Sequence, residues 1–193
     1  DLDQRRTSRP MRSSEAGRSS QKVIVVGPSE AGKSLISNVL AEHTEAPSEQ
    51  YRPTVGVRIL EFDSEVRIAA QRTSVELWDV SGDAQYQRCW PAIKKDAVGV
   101  ILVYNPEKSS EEQEVEQWFQ WFPRSMGLAA NQVLVLQSLR RSEGSRMPLP
   151  SKLAAAGVAQ PAVVTADDLV SARTHFSQFL ESVRQSVVDK QRQ

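Results

Sequence analysis

The chain has 193 residues, 39% of them hydrophobic, with 24 basic and 24 acidic side chains and a formal net charge of zero. That length suits one domain with a sizeable core, and the balanced charge argues against the basic footprint that nucleic acid or an anionic membrane surface would need. The single cysteine, Cys89, excludes a disulfide framework and a cysteine-built zinc site, and no apolar run approaches the roughly 20 residues that span a bilayer as a helix.

Residues 1–20 are polar, rich in Ser and Arg, and have almost nothing apolar to bury. Ordering them would cost entropy without return, so a disordered arm is expected there, with the folded domain over residues 21–188 and a short tail at 189–193. The tail has no cysteine, so no prenyl anchor is expected. Val23-Ile24-Val25-Val26 is a run of branched apolar residues, as in a strand buried on both faces of a parallel sheet. Gly27 ends it. A helix is predicted from Gly32–Lys33 onward, with Leu35, Ile36, Val39 and Leu40 sharing a face.

Glu42 to Pro53 has no periodicity and reads as a surface loop. Val55–Phe62 and Ser74–Trp78 read as strands, and the residues between them, around Asp63 to Thr73, are expected to turn the chain back as a hairpin. Val98–Tyr104 and Gln132–Leu136 are further apolar strands. Ser109–Phe122, acidic at its start through Glu111, Glu112, Glu114 and Glu116, is predicted to be a helix whose dipole favours that charge. Residues 139–150, with Gly144, Pro148 and Pro150, read as a loop. Pro161–Val164 is a last short strand. Leu169, Ala172, Phe176, Phe179, Leu180, Val183 and Val187 then mark a closing amphipathic helix. Strands alternating with helices imply an α/β sheet covered on both faces. Neither His43 nor His175 has neighbours in sequence that suggest a metal or acid–base role.

The strongest chemical signal is Gly27-Pro28-Ser29-Glu30-Ala31-Gly32-Lys33-Ser34, a phosphate loop by its spacing. A phosphate needs several backbone N–H groups converging on it, and glycines let the chain wrap that tightly. The following helix N-terminus adds partial positive charge. Lys33 is expected to reach the β- and γ-phosphates of a nucleotide, and the Ser34 hydroxyl to ligate Mg²⁺. A chance match would not place the motif between a buried strand and a helix.

Two further pieces follow. Asp79 and Gly82 form an Asp-x-x-Gly pattern at a strand end. An Asp there can hold Mg²⁺, usually through water, and the Gly N–H can meet a γ-phosphate. Thr54, in Tyr51-Arg52-Pro53-Thr54-Val55, can turn its hydroxyl onto the metal; the competing reading is a β-branched residue that merely opens a strand.

With these three motifs in order, residues 21–188 resemble the Ras-like small GTPases. The strings Arg52-Pro53-Thr54-Val55-Gly56-Val57-Arg58-Ile59-Leu60-Glu61-Phe62, Leu77-Trp78-Asp79, Gly82-Asp83-Ala84 and Cys89-Trp90-Pro91-Ala92 resemble the Rab-like GTPases of the intraflagellar transport machinery. The resemblance implies a six-stranded, mostly parallel sheet flanked by about five helices. It implies GTP or GDP with Mg²⁺ as ligand, held by Ser29, Glu30, Ala31, Gly32, Lys33, Ser34, Thr54 and Gly82. Ser34, Thr54 and Asp79 would serve the metal, with Thr54 in a first switch segment and Asp79 and Gly82 opening a second, both ordering around a γ-phosphate. It also implies coiled-coil partner subunits of transport complex B, docking on the switches with Tyr86 and Trp90 as candidate contacts. The implied location is the cytoplasm, basal body, and cilium or flagellum.

The departures from the pattern are informative. Asp83 stands where such proteins carry the Gln that orients the attacking water, and Gln85 is out of register. Slow or absent hydrolysis is therefore expected, the alternative being an active GTPase that needs a partner to supply missing groups. Ser29 and Glu30 stand where small residues are usual. Gln137-Ser138-Leu139-Arg140-Arg141 replaces the base-reading Asn-Lys-x-Asp motif, leaving no Asp for the two guanine N–H groups. Thr165 and Ala166, after the last strand, are placed to offer a backbone N–H to the guanine oxygen. A small-molecule kinase with Arg140, Arg141 and Arg146 on a lid is a further reading, but such an enzyme needs neither Thr54 nor the Asp79–Gly82 element.

Overall fold

A computed structural model describes residues 20–42, 52–68, 71–107, 112–165 and 168–191. The arm before residue 20, and with it most of the expected disordered segment, lies outside these, as do His43, Tyr51, Glu111 and Ala166.

Six strands form one sheet: β1 (Ser20–Val26), β2 (Val57–Ile68), β3 (Gln71–Val80), β4 (Gly99–Tyr104), β5 (Val133–Leu139) and β6 (Ala162–Thr165). Their order is β2-β3-β1-β4-β5-β6. Only β2 runs antiparallel to its neighbour. The helices are α1 (Lys33–Leu40), α2 (Trp90–Lys94), α3 (Glu112–Phe119), α4 (Ser151–Ala155) and α5 (Val170–Gln191). The expected mostly parallel six-stranded sheet with about five helices is thus what the chain forms.

The continuous apolar strands are explained by two cores. Val23 and Val25 of β1 face a layer built with Ile36 and Leu40 of α1 and Phe176, Phe179 and Leu180 of α5. Ile24 and Val26 face the opposite layer, with Trp90, Trp118, Phe119 and Phe122. A central strand covered on both sides has no polar face to show, hence the unbroken run.

The structure refines one expectation, corrects another and adds two helices. The hairpin expected around Asp63–Thr73 forms, and its strands run further into that stretch than expected, with Asp63 paired to Ser74, Ser64 to Thr73, Arg67 to Arg72 and Ile68 to Gln71. A register shift between Ser64 and Arg67 hides the alternation there. The helix predicted to run to Phe122 leaves α-geometry at Gln120 and becomes a π-type turn over Gln120–Arg124. Pro123 lies inside it, with no N–H to continue an α-ladder. Two helices had no prediction: α2, which follows a 3₁₀ turn over Ala84–Cys89, and α4. The signal for α4 was legible: Pro150 stands directly before Ser-Lys-Leu-Ala-Ala, a proline at a helix start followed by good helix formers.

Candidate functional site

β1 delivers the chain to the phosphate loop, and α1 leaves it at Lys33. Gly27 has φ +141, and a Cβ there would sit 1.9 Å from the Val103 carbonyl oxygen, so only glycine fits between β1 and β4. Gly32 precedes α1 in the left-handed region, and the helix start has no side-chain cap and no acidic residue in its first turn. Its first N–H groups are left for a ligand. Ala31 is buried, whereas Ser29 and Glu30 are exposed on the crown of the loop.

Lys33 is buried, with Nζ donating to the Gly27 carbonyl at 2.8 Å and the Pro28 carbonyl at 2.6 Å. Burial pushes its pKa down to about 8, although Asp79 and Glu114 act against that. The ammonium is thus held at the loop by two weak acceptors, ready to exchange them for phosphate oxygens.

The two downstream motifs arrive at the same place. The Ser34 and Thr54 hydroxyls are 2.9 Å apart, and Thr54 Oγ1 donates to Asp79 Oδ2 at 3.4 Å. Asp79 is fully buried and its Oδ1 has no hydrogen-bond partner. Burial raises its pKa, while the Ser34 hydroxyl, Arg58, Lys33 and the Thr54 hydroxyl lower it. Two hydroxyls and one buried, half-satisfied carboxylate are hard oxygen donors suited to Mg²⁺. Among the described residues no group of three or more His, Cys, Asp or Glu side chains could hold a metal.

Gly82 closes the site from the other side. A Cβ on it would lie 2.4 Å from Ser29 N, so the second switch abuts the phosphate loop through bare backbone. The switches are joined by a hydrogen bond from Ser81 N to the Gly56 carbonyl at 2.8 Å. Asp83 does not face the loop chemistry. Its carboxylate caps the 3₁₀ turn, accepting from Gln85 N at 2.9 Å and from Gln85 Nε2 at 2.6 Å. This also ties down the one glutamine near the expected catalytic position.

At the far end, Gln137 is buried. It donates to Tyr104 Oη at 2.8 Å and to the Met147 carbonyl, and accepts from Met147 N at 3.3 Å. It therefore anchors the connection after β5. Ser138 lies against Gly32, and Thr165 Oγ1 accepts from Asp168 N at 3.2 Å. The nearby carboxylate that sequence reading missed is Glu107, whose Oε2 accepts from Arg140 N at 3.4 Å. An open hollow of about 260 Å³, lined by Leu40, Phe62, Arg173 and Phe176 among others, lies at the other end of α1 and is unrelated to this chemistry.

Trp90 does not stand exposed beside the switch. It is 5% exposed, with its ring centroid 5.6 Å from Trp118, 5.1 Å from Trp121 and 5.0 Å from Phe122. Buried aromatic clusters of this kind dominate core energetics. Trp90→Ala is expected to cost about 3–5 kcal/mol of stability, read from denaturant midpoints; a loss under ~1 kcal/mol would contradict the packing. Tyr86 is half-buried and its ring lies against Gly56. The exposed apolar residues near the switches are instead Val55 at 78%, Ile59 at 44% and Leu35 at 36%, which strand patterning absorbed into β2 and α1 and so concealed. Arg58, beside Asp79, was also missed.

Residues 22–138 match the family model described as the Ras of Complex, Roc, domain of DAPkinase. The intraflagellar transport protein 22 homolog of Danio rerio is 41% identical over 133 residues, covering 67% of this chain and 71% of that protein. The chain belongs to this family of Ras-like GTPases. Two solved structures agree with it in fold. The GTP-bound T. brucei IFT22/74/81 crystal structure matches with a TM-score of 0.70 at 29% identity, covering 89% of this chain and 99% of that one. The GDP-bound T. brucei IFT22 structure matches with a TM-score of 0.65 at 28% identity, covering 87% and 98%. Among the described residues no helix is long and apolar enough to cross a membrane.

Proposed function

We propose that this chain binds GTP with Mg²⁺ and acts as a nucleotide-dependent docking module for coiled-coil subunits of intraflagellar transport complex B, in the cytoplasm, at the basal body and in the cilium or flagellum. The observation that carries the reading is Thr54 drawn onto Ser34 and Asp79, 2.9 and 3.4 Å away. The first switch is thereby closed on the phosphate loop with its metal donors together. Mg²⁺ at this site would neutralise phosphate charge. Lys33 binds and orients the phosphates, and Gly82 offers its backbone N–H to the terminal one. The similar T. brucei structures, GTP-bound with two further transport subunits and GDP-bound alone, support both the ligand and the partner.

Hydrolysis is slow in this reading. Asp83 caps a turn with its carboxylate and holds the Gln85 amide, so neither side chain is free to orient water. The partner reads the exposed apolar side chains of Val55 and Ile59 on the ordered switch, which a helical surface can cover.

The test combines two measurements on the full chain. In single-turnover assays the rate should stay near or below ~10⁻⁴ per second, the scale of an unassisted site. A coiled-coil partner should be captured by the GTP-loaded chain and lost with Val55→Asp or Ile59→Asp, whose stabilities stay within about 0.5 kcal/mol of the parent, as for surface changes. Fast turnover without partner would favour the active-GTPase alternative. Undiminished capture by both variants would sink the docking face.

A further inference from the structure

Arg58 stands in register with Asp79 across the β2–β3 ladder. Its Nη2 lies 3.3 Å from Asp79 Oδ2 and donates to the Ser34 carbonyl at 3.2 Å. One guanidinium thus touches the carboxylate and the phosphate-loop serine that would serve the metal, four residues along the chain from the third donor, Thr54. Its Nε is buried and has no hydrogen-bond partner, so the side chain sits where it does without satisfying all its donors. The attraction to Asp79 is the evident compensation: a fully buried carboxylate is costly unless a cation or donors neutralise it.

We propose that Arg58 is a resident counter-cation that takes over from Mg²⁺ much of the work of neutralising Asp79 and latching Thr54 to the phosphate loop. Two consequences follow from charge alone. Without metal, the guanidinium stands 3.3 Å from Asp79 Oδ2 and 3.2 Å from the Ser34 carbonyl. Thr54 then keeps its contacts to Ser34 and Asp79, so this side of the site stays closed with or without nucleotide, and the nucleotide dependence of docking falls to the contact between the terminal phosphate and Gly82. With metal, a divalent cation on Ser34 and Thr54 shares its surroundings with a fixed positive charge, and like charges in a partly desolvated site oppose each other. The metal therefore adds little to nucleotide retention. The switch keeps its docking face across a range of Mg²⁺ that would open a site lacking such a cation. The latch itself does not depend on the nucleotide reading above; the metal half does.

The test uses the full chain, Arg58→Gln and Arg58→Lys. In nucleotide-free protein, hydrogen exchange over residues 52–58 and at the Ser81 amide, which bonds the Gly56 carbonyl, should be slow in the parent and in Arg58→Lys. It should accelerate about tenfold or more in Arg58→Gln, within the range of typical coupling between sites. In the second arm, release of a fluorescent guanine nucleotide is timed in Mg²⁺ and in excess EDTA. Chelation should speed release less than about threefold in the parent but about tenfold or more in Arg58→Gln, the same coupling seen from the metal side, with Arg58→Lys like the parent. Equal exchange in the parent and Arg58→Gln would overturn the latch even if Arg58→Gln folds normally by circular dichroism. Release from the parent that is strongly EDTA-sensitive and unchanged by Arg58→Gln would overturn the metal half. Failure of all three proteins to load nucleotide would overturn the nucleotide reading and the metal half with it, leaving the latch to be decided by exchange.

Discussion

Lys33→Ala is expected to remove nucleotide binding while sparing the fold. The Lys33 ammonium is the cation at the centre of the phosphate loop, and charge-assisted hydrogen bonds contribute roughly 1.5–3 kcal/mol each. Losing two of them to phosphate oxygens weakens affinity about 10²–10⁴-fold. Stability of the nucleotide-free protein should hardly change. The buried ammonium is costly in the folded state, as its lowered pKa of about 8 shows, and its removal relieves that cost while depriving two carbonyls of a donor. Titration of a fluorescent nucleotide beside thermal melting reads both effects. Binding within tenfold of the parent would show that Lys33 does not face the phosphates.

The same lysine sets a pH dependence whose sign differs between folding and binding. The pKa is about 8 in the folded, nucleotide-free chain against an ordinary 10.5. Between these values the unfolded chain binds more protons, so this group's contribution to stability improves as pH rises from about 8 toward 10.5. Phosphate favours the protonated lysine, so affinity should fall as pH passes 8. Affinity that is flat between pH 7 and 9 would argue against a protonated Lys33 as the phosphate ligand.

Gly27→Ala is expected to damage the fold itself. A methyl group there meets the Val103 carbonyl at 1.9 Å. The position also requires φ +141, a backbone region that costs about 1–3 kcal/mol for other residues. β1 and β4 would have to separate at the middle of the sheet, where Val26 pairs with Leu102. A loss of more than about 4 kcal/mol, in the exceptional range for one substitution, should appear as a fall in the denaturant midpoint or as insoluble protein. A loss under ~1 kcal/mol would mean that the loop tolerates a different path out of β1.

The chemistry of the phosphate end was readable in the sequence because it is written in contiguous or regularly spaced residues. Gly27 to Ser34 carries its own geometry through glycine placement, and Asp79 and Thr54 lie at strand ends where chain direction alone brings them near. The alternation of apolar strands and helices likewise dictated a two-faced sheet. What stayed hidden depended on partners far apart in sequence. Trp90 reads as an exposed switch aromatic until Trp118, Trp121 and Phe122 arrive from beyond β4 to bury it. Asp83 reads as a charge beside phosphate until the 3₁₀ turn gives it Gln85 to cap.

Arg58 shows the difference most clearly. In sequence it is one of several charged residues along β2, with Glu61, Asp63, Glu65 and Arg67, and strand periodicity gives it no special place. Only the β2–β3 register sets it opposite Asp79, because the register is decided by the summed fit of the whole hairpin, shift between Ser64 and Arg67 included, not by any one residue. Sequence by itself determined that a nucleotide's phosphates have a cradle here, since local backbone geometry is encoded locally. Tertiary structure alone decided which charges face that cradle and which aromatics are buried, since burial and electrostatic pairing belong to residues that meet only after the chain has folded.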